Sequence, residues 1–286
     1  EETELFQPGI DLVKTGCDCA IVGGVVDYTF TLTNMSSDDS PDLVNIELVD
    51  DVLGNLLDPL NPAFVGYAFK SNQDDDGALS YGEVWTINVK YVVPKTDAET
   101  LVNTVTVVAN PEGFSNEIRD RDRHELAIDR PALAVEKQIW DPSLGQYVDA
   151  DSPTGPLLST GVNPRYRFTV ANTGDVELTN LVLTDNRYDL NGISGDAKDD
   201  PLARAFDILS LAAGDSRVID FTGATWQPGQ QTNTATLKAS YTDCCGNSID
   251  LVATDDANYY GKQGPGVRTP GFWGQTTGKN QWSKFW

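Results

Sequence analysis

Along most of this chain apolar and polar residues alternate in short runs, and each run ends in a cluster of Asn, Asp, Gly or Pro. Tyr28-Thr29-Phe30-Thr31-Leu32-Thr33-Asn34 is one such run and Tyr166-Arg167-Phe168-Thr169-Val170-Ala171-Asn172 is another. A period of two means that one face of a strand is buried and the other wetted, and β-branched and aromatic residues hold the inward positions. Helical periodicity is nearly absent. The pattern predicts short antiparallel strands throughout, about seven per repeat of ~125 residues.

The runs recur in the same order in two halves, at a spacing that drifts only from 138 to 130 residues. Asn45-Ile46-Glu47-Leu48-Val49-Asp50 corresponds to Asn180-Leu181-Val182-Leu183-Thr184-Asp185. Gly82-Glu83 before Ile87 and Val89 corresponds to Gly214-Asp215 before Ile219 and Phe221, and Asn103-Thr104-Val105-Thr106-Val107 to Asn233-Thr234-Ala235-Thr236-Leu237. The expected architecture is all-β: two tandem immunoglobulin-like antiparallel β-sandwiches, residues 1–129 and 130–261, with a C-terminal segment 262–286. Ile10 to Lys14 and Leu133 to Lys137 are expected to open the two domains in the same role.

These runs resemble an Ig-like repeat of unassigned function found in tandem in large bacterial and archaeal secreted and cell-surface proteins. Asp11-Leu12-Val13-Lys14, Tyr28 to Asn34, Asn45 to Asp51, Gly82-Glu83-Val84-Trp85 and Asn103 to Val107 carry the resemblance in their order, and it spans roughly residues 8 to 261. It implies a stalk, adhesin or surface-coat module without known catalysis.

Charge sharpens that picture. The chain has 20 Lys and Arg against 43 Asp and Glu, a formal net charge of −23. Such a surface repels phosphates, which excludes a nucleic-acid binder or a protein held to an anionic membrane by charge. It suits a secreted surface, or one that holds hard cations through carboxylate oxygens. No apolar run approaches the roughly 18 residues of a membrane span. The chain opens on Glu1, so a processed N-terminus and an extracellular location are expected.

Asn72-Gln73-Asp74-Asp75-Asp76-Gly77-Ala78-Leu79-Ser80-Tyr81-Gly82-Glu83 follows the phasing of an EF-hand-type calcium loop. Asn72, Asp74 and Asp76 fall at positions 1, 3 and 5, the Ala78 carbonyl at 7, Ser80 at 9 and Glu83 at 12, with Gly77 at the sharp turn. Structural calcium is the expected cofactor, although position 1 is Asn and strands flank the loop. The competing reading is a solvated acidic hairpin whose Asp-Gly step supplies a turn. The second half keeps only Gly214-Asp215 and is expected to bind no metal. Asp38, Asp39, Asp196, Asp199 and Asp200 read as solvated loop charge. Asp149, Asp151 and Asp185 could converge near the first strands of domain 2.

The four cysteines form two close pairs, Cys17-x-Cys19 after the first strand of domain 1 and Cys244-Cys245 in the last hairpin of domain 2. In sandwiches of this kind both places face the junction between consecutive domains, so one or two disulfides between the pairs are expected. A vicinal Cys244–Cys245 bond, bridges between molecules and free thiols are the alternatives.

Nothing in the sequence builds an enzyme. His124, the sole histidine, lies in a charged run that reads as an exposed edge strand. No nucleophile elbow, His-Glu-x-x-His helix or phosphate-cradling glycine loop is present. Lys14 and Lys137 lie on the first strand of each domain, where some surface Ig-like domains join Lys to Asn. The sequence alone places neither the Asn nor the assisting acid, so no such bond is expected.

Residues 262–286 hold four basic and no acidic residues, with Phe272, Trp273, Trp282, Phe285 and Trp286 as docking candidates. They form either a linker or a strand that docks on an acidic sandwich by β-augmentation. The expected function is an extracellular structural or adhesive protein, a subunit or stalk segment of a surface fibre stiffened by calcium. Its partners would be copies of itself or other surface proteins. The runner-up is a secreted module that binds a surface glycan.

Overall fold

A computed structural model describes residues 6–74, 76–190 and 205–264. Among these residues every regular element is a β-strand. The first half holds β1 (Ile10–Thr15), β2 (Cys19–Ile21), β3 (Val25–Asn34), β4 (Leu43–Asp50), β5 (Gly54–Asn55), β6 (Gly66–Ser71), β7 (Val84–Val92), β8 (Thr100–Pro111) and β9 (Ile118–Asp129). The second holds β10 (Leu133–Asp141), β11 (Gln146–Asp149), β12 (Leu157–Ser159), β13 (Tyr166–Asn172), β14 (Leu178–Asp185), β15 (Ala205–Leu211), β16 (Ser216–Phe221), β17 (Gly229–Thr242) and β18 (Ser248–Lys262).

The strands form four sheets, two in each immunoglobulin-like sandwich. Their orders are β1-β3-β7-β6 with β2-β9-β8-β4-β5, and β11-β10-β13-β16 with β12-β18-β17-β14-β15. The chain divides into two compact units, Glu1–Pro131 with Ser240–Asp250 and Ala132–Ala239 with Leu251–Trp286. Residues 240–250 are the tip of the hairpin between β17 and β18, so this tip is part of the first unit.

The alternation read from the sequence becomes the burial pattern. Every second residue of β13, from Tyr166 to Asn172, is buried, and β3 repeats this from Val26 to Asn34. In the first unit Tyr28, Phe30 and Leu32 share a core cluster with Leu48, Val105 and Val107. Full burial of a large apolar side chain contributes roughly 1.5–3 kcal/mol, so the inward rows of these strands hold the sheets face to face.

The repeat extends to backbone detail. Asn45 and Asn180 both sit in the left-handed region, at φ 52° and 53°, where few residues other than glycine are found. The halves part at the strand before the Gly-acid turn. In the first half that strand, β6, pairs with β7, whereas β15 pairs with β14 in the other sheet.

Candidate functional site

Each unit buries one lysine on its first strand. In β10 the inward positions are Val135, Lys137 and Ile139, and in β1 they include Leu12 and Lys14, so a cation occupies a slot the alternation reserves for an apolar residue. Lys137 is fully buried. Its Nζ donates to Asp185 Oδ2 at 2.7 Å and to Asn233 Oδ1, and Asn233 Nδ2 in turn donates to Asp185 Oδ1 at 2.6 Å. Asp185 closes β14 and Asn233 lies early in β17, both in phase with the inward residues Leu183 and Ala235. The amine lies 4.8 Å and 5.3 Å from the ring centroids of Tyr166 and Phe168. A cation, an acid and an amide thus meet in a dry, aromatic-walled space.

The first unit repeats the placement. Lys14 Nζ donates to Asp50 Oδ2 at 2.7 Å, both side chains being fully buried, and it lies 4.6 Å and 5.2 Å from the ring centroids of Tyr28 and Phe30. Asn103, at the position of Asn233, is fully buried, and neither of its amide atoms makes a hydrogen bond of ordinary geometry. Both lysines are anchored alike through the main chain. Lys14 N donates to Asp122 Oδ2 at 2.7 Å and Lys137 N to Asp255 Oδ2 at 2.5 Å.

Burial is the main influence on both amines. It pushes Lys137 down to about 8 against the opposing pull of Asp185, Asp256 and Asp255. It also lowers Lys14, against Asp50, Asp51 and Asp122. Desolvation disfavours an ammonium, and only the adjacent carboxylate limits the effect. In the same space Tyr28 is raised to about 12, first by burial and then by the Asp50 and Tyr91 charges, with a weak interaction from Asn103 opposing.

The four cysteines meet in the first unit as two disulfides, Cys17–Cys245 and Cys19–Cys244. Polar contacts seat the hairpin tip around them. Asp243 Oδ2 accepts from Ile21 N at 2.9 Å, Asn247 Oδ1 accepts from Val25 N at 2.9 Å, and Tyr241 donates to Asp129 at 2.8 Å. Gly24 is required for this approach, because a Cβ there would stand 2.8 Å from Asn247 Nδ2.

His124 does not project from an exposed edge. It lies inward, its side chain 12% exposed, with its ring 5.6 Å from that of Tyr28 and Nε2 3.8 Å from Asp18. The reason is phase: it pairs with the buried Asn103 across β8 and β9 and shares its face.

In the hairpin over residues 72–83, Glu83 is fully buried. Its Oε1 accepts from Ser71 Oγ and from Trp85 Nε1 at 2.9 Å, and its Oε2 accepts from Ser80 N at 2.9 Å. Asn72 Oδ1 accepts from Val84 N at 2.8 Å, and Asp76 Oδ1 accepts from Ala78 N at 2.9 Å. Leu79 bridges to Leu43, which pins the loop between Ala78 and Ser80 to β4. Asp74 and Asp76 are exposed, and Asp75 lies outside the described residues. The inward carboxylate of Glu83 is already supplied with protein donors. Among the described residues no three His, Cys, Asp or Glu side chains converge as metal ligands.

Asp185 is buried against Lys137 and is not grouped with Asp149 and Asp151. Those two line an open cleft of about 490 Å³ together with Asp141, Val148 and Pro156. A hydrogen bond that the protonated Asp151 donates to Asp149, followed by burial and the neighbouring Asp255, raises Asp151 to about 6. Asp38 and Asp39 are exposed. Asp196, Asp199 and Asp200, and the docking candidates Phe272, Trp273, Trp282, Phe285 and Trp286, lie outside the described residues. Among the described residues no helix is long and apolar enough to cross a membrane.

The residues that sequence reasoning missed are Asp50, Asn103 and Asn233. Their signal is phase, since each occupies an inward position beside Leu48, Val105 or Ala235 where a hydrophobe is the rule.

No family model and no curated protein matches this chain. Similar solved structures include BcpA, the major pilin subunit of Bacillus cereus, at 12% identity over 90% of this chain and 70% of that one, TM-score 0.33. A Ca²⁺-stabilized adhesin with which an Antarctic bacterium binds ice is 12% identical over 91% of this chain, which spans 50% of that one, TM-score 0.36. A protein of unknown function from Porphyromonas gingivalis W83 is 11% identical over 85% of this chain and 98% of that one, TM-score 0.28. At these scores the assignment of the fold rests on the strands themselves.

Proposed function

We propose that this chain is an extracellular structural module, part of a cell-surface stalk, fibre or adhesin, whose task is to keep its shape under load and which turns over no substrate. The observation that carries the reading is the covalent tie between the beginning and end of the fold. Cys17 and Cys19 follow β1, Cys244 and Cys245 lie between β17 and β18, and the disulfides span 228 and 225 residues of sequence. Tension applied at the two ends of such a chain bypasses nearly all of both sandwiches. Disulfides of this kind persist in oxidising compartments, which supports the extracellular placement. The acidic surface keeps such a module soluble and away from anionic membranes. Copies of the same chain or other surface proteins are the partners this role calls for. Calcium is not needed for stiffness in this reading, because covalent ties supply it.

Single-molecule stretching of the full chain, held at both termini, tests the proposal. The oxidised protein is expected to yield only the short segments outside the disulfides, and reduction is expected to release further extension as the first sandwich unfolds. Equal extension before and after reduction would overturn the load-bearing role.

A further inference from the structure

We propose that Lys137 and Asn233 condense into an amide bond inside the second unit, with Asp185 as the proton carrier. The inference goes beyond the disulfide tie and does not depend on it. Three observations support it. The amine of Lys137 touches the carboxamide of Asn233, which is the contact a nucleophile needs. The two oxygens of Asp185 are divided between the reactants, Oδ2 on the attacking nitrogen and Oδ1 on the nitrogen that would leave. The site is closed, with Lys137 and the Asp185 side chain fully buried and Tyr166 and Phe168 walling the amine, so bulk water does not compete for the carbonyl.

The steps balance. Asp185 takes a proton from the Lys137 ammonium and leaves a free amine, whose lone pair bonds to Cγ of Asn233. A second proton leaves the attacking nitrogen as the tetrahedral centre collapses. Both protons cross Asp185 to Nδ2, the Cγ–Nδ2 bond breaks, and the nitrogen departs as ammonium. The carbonyl oxygen stays, Asp185 ends as a carboxylate, and nothing is oxidised or reduced. The lowered basicity of the buried Lys137 favours the first step, because a larger fraction of the amine is neutral near physiological pH. Asn186 assists by position: its Oδ1 accepts from Asn233 Nδ2 at 2.8 Å and from Thr234 N at 3.1 Å, which orients the amide nitrogen.

The product joins β10 to β17, strands of the two facing sheets, across 96 residues of sequence. It would leave the second unit unable to open by separating those sheets.

Mass spectrometry of the full chain decides the matter. The expected result is a tryptic branched peptide that joins the segments containing residues 137 and 233, lighter by one ammonia than the two linear peptides, with no cleavage after Lys137. Linear peptides containing unmodified Lys137 and Asn233 would overturn the proposal. So would an ammonia deficit at another asparagine without the branch. Asp185→Asn is expected to keep both reactants but lose the branch; a folded Asp185→Asn protein, verified by circular dichroism, that still forms it fully would remove Asp185 as the proton carrier. Lys137→Arg, a bulkier change, is expected to lose the branch, and the wild-type peptide map decides even if that variant does not fold.

Discussion

The two units place lysine, aspartate and asparagine on corresponding strands, yet they hold the amide differently. In the second unit Asn233 Nδ2 is shared between Asp185 and Asn186. In the first, Asp51 stands where Asn186 does and accepts from Thr104 N at 2.8 Å, while Asn103 has no ordinary hydrogen bond. The surroundings have diverged far more: β6 and β15 lie in opposite sheets, and the first unit alone has the acidic hairpin and the disulfides. What survives such divergence is the triad. An orphaned buried amide costs about 1–3 kcal/mol per unmet group, so Asn103 carries a cost that the hydrogen-bonded Asn233 avoids.

The largest difference to exploit is the pair of disulfides. Replacing all four cysteines by serine is expected to cost the first unit about 5 kcal/mol of chain-entropy stabilisation, given a closed loop of 228 residues. Replacing only Cys19 and Cys244 is expected to cost far less, because Cys17–Cys245 still closes nearly the same loop. Denaturant unfolding of the two variants measures both effects, and equal losses would show that each bridge acts through local packing instead of loop closure.

Next in size is the amide. Asn233→Ala is expected to destabilise the second unit by about 4–5 kcal/mol, the constraint a cross-link places on a loop of 96 residues. Asn103→Ala is the sharper probe of the comparison. A second branched peptide, joining residues 14 and 103 in the wild type and lost in this variant, would extend the condensation to the first unit. A branch from the second unit alone would show that the hold of the acid on the amide, and not the shared place in the fold, decides reactivity.

Proton linkage separates a bonded from an unbonded lysine. Burial lowers Lys137 to about 8 in the folded state from 10.5. An unbonded Lys137 therefore binds fewer protons folded than unfolded between those values, and stability rises as pH rises through that window. The Asn233→Ala protein is expected to gain up to about 1.4 kcal/mol per pH unit from about pH 8 to 9.5. The wild type should show no such rise from Lys137, since an amide nitrogen does not titrate. Buried tyrosines act with the opposite sign, because Tyr28 is raised to about 12 and Tyr166 is raised as well. Their effect begins only near their unfolded value of about 10, which is why the measurement stops below it. A rise of equal slope in wild type and variant would mean that Lys137 is free in both.

The strands and their repetition were legible because a period of two is a local signal. The grouping of the cysteines followed from topology, but a linear repeat does not reveal that residues 240–250 pack within the first unit. The triads were half visible. Lys14 and Lys137 stood out on the opening strands, whereas Asp185 and Asn233 lie 48 and 96 residues from Lys137, and only the facing of two sheets brings them together. The inward phase of Asn103 and Asn233 was available in the sequence and would have raised the question. The calcium reading of residues 72–83 used spacing alone, and spacing is blind to whether a carboxylate turns outward to a cation or inward to protein donors.

That last distinction gives the smallest expected effect. Glu83 spends its carboxylate on Ser71, Ser80 and Trp85, which closes the hairpin from within. Glu83→Gln replaces one acceptor oxygen by an NH₂ group facing donors, and is expected to cost the first unit about 1–3 kcal/mol. Adding or chelating calcium is expected to leave the unfolding midpoint of the wild type unmoved, because binding would first have to strip those donors from a buried side chain. The two measurements together discriminate. A midpoint that rises with calcium in the wild type and not in Glu83→Gln would mean that Glu83 leaves its internal partners for the ion, and that the first unit carries a metal-dependent stiffness which the second, with Asp215 at the matching turn, lacks.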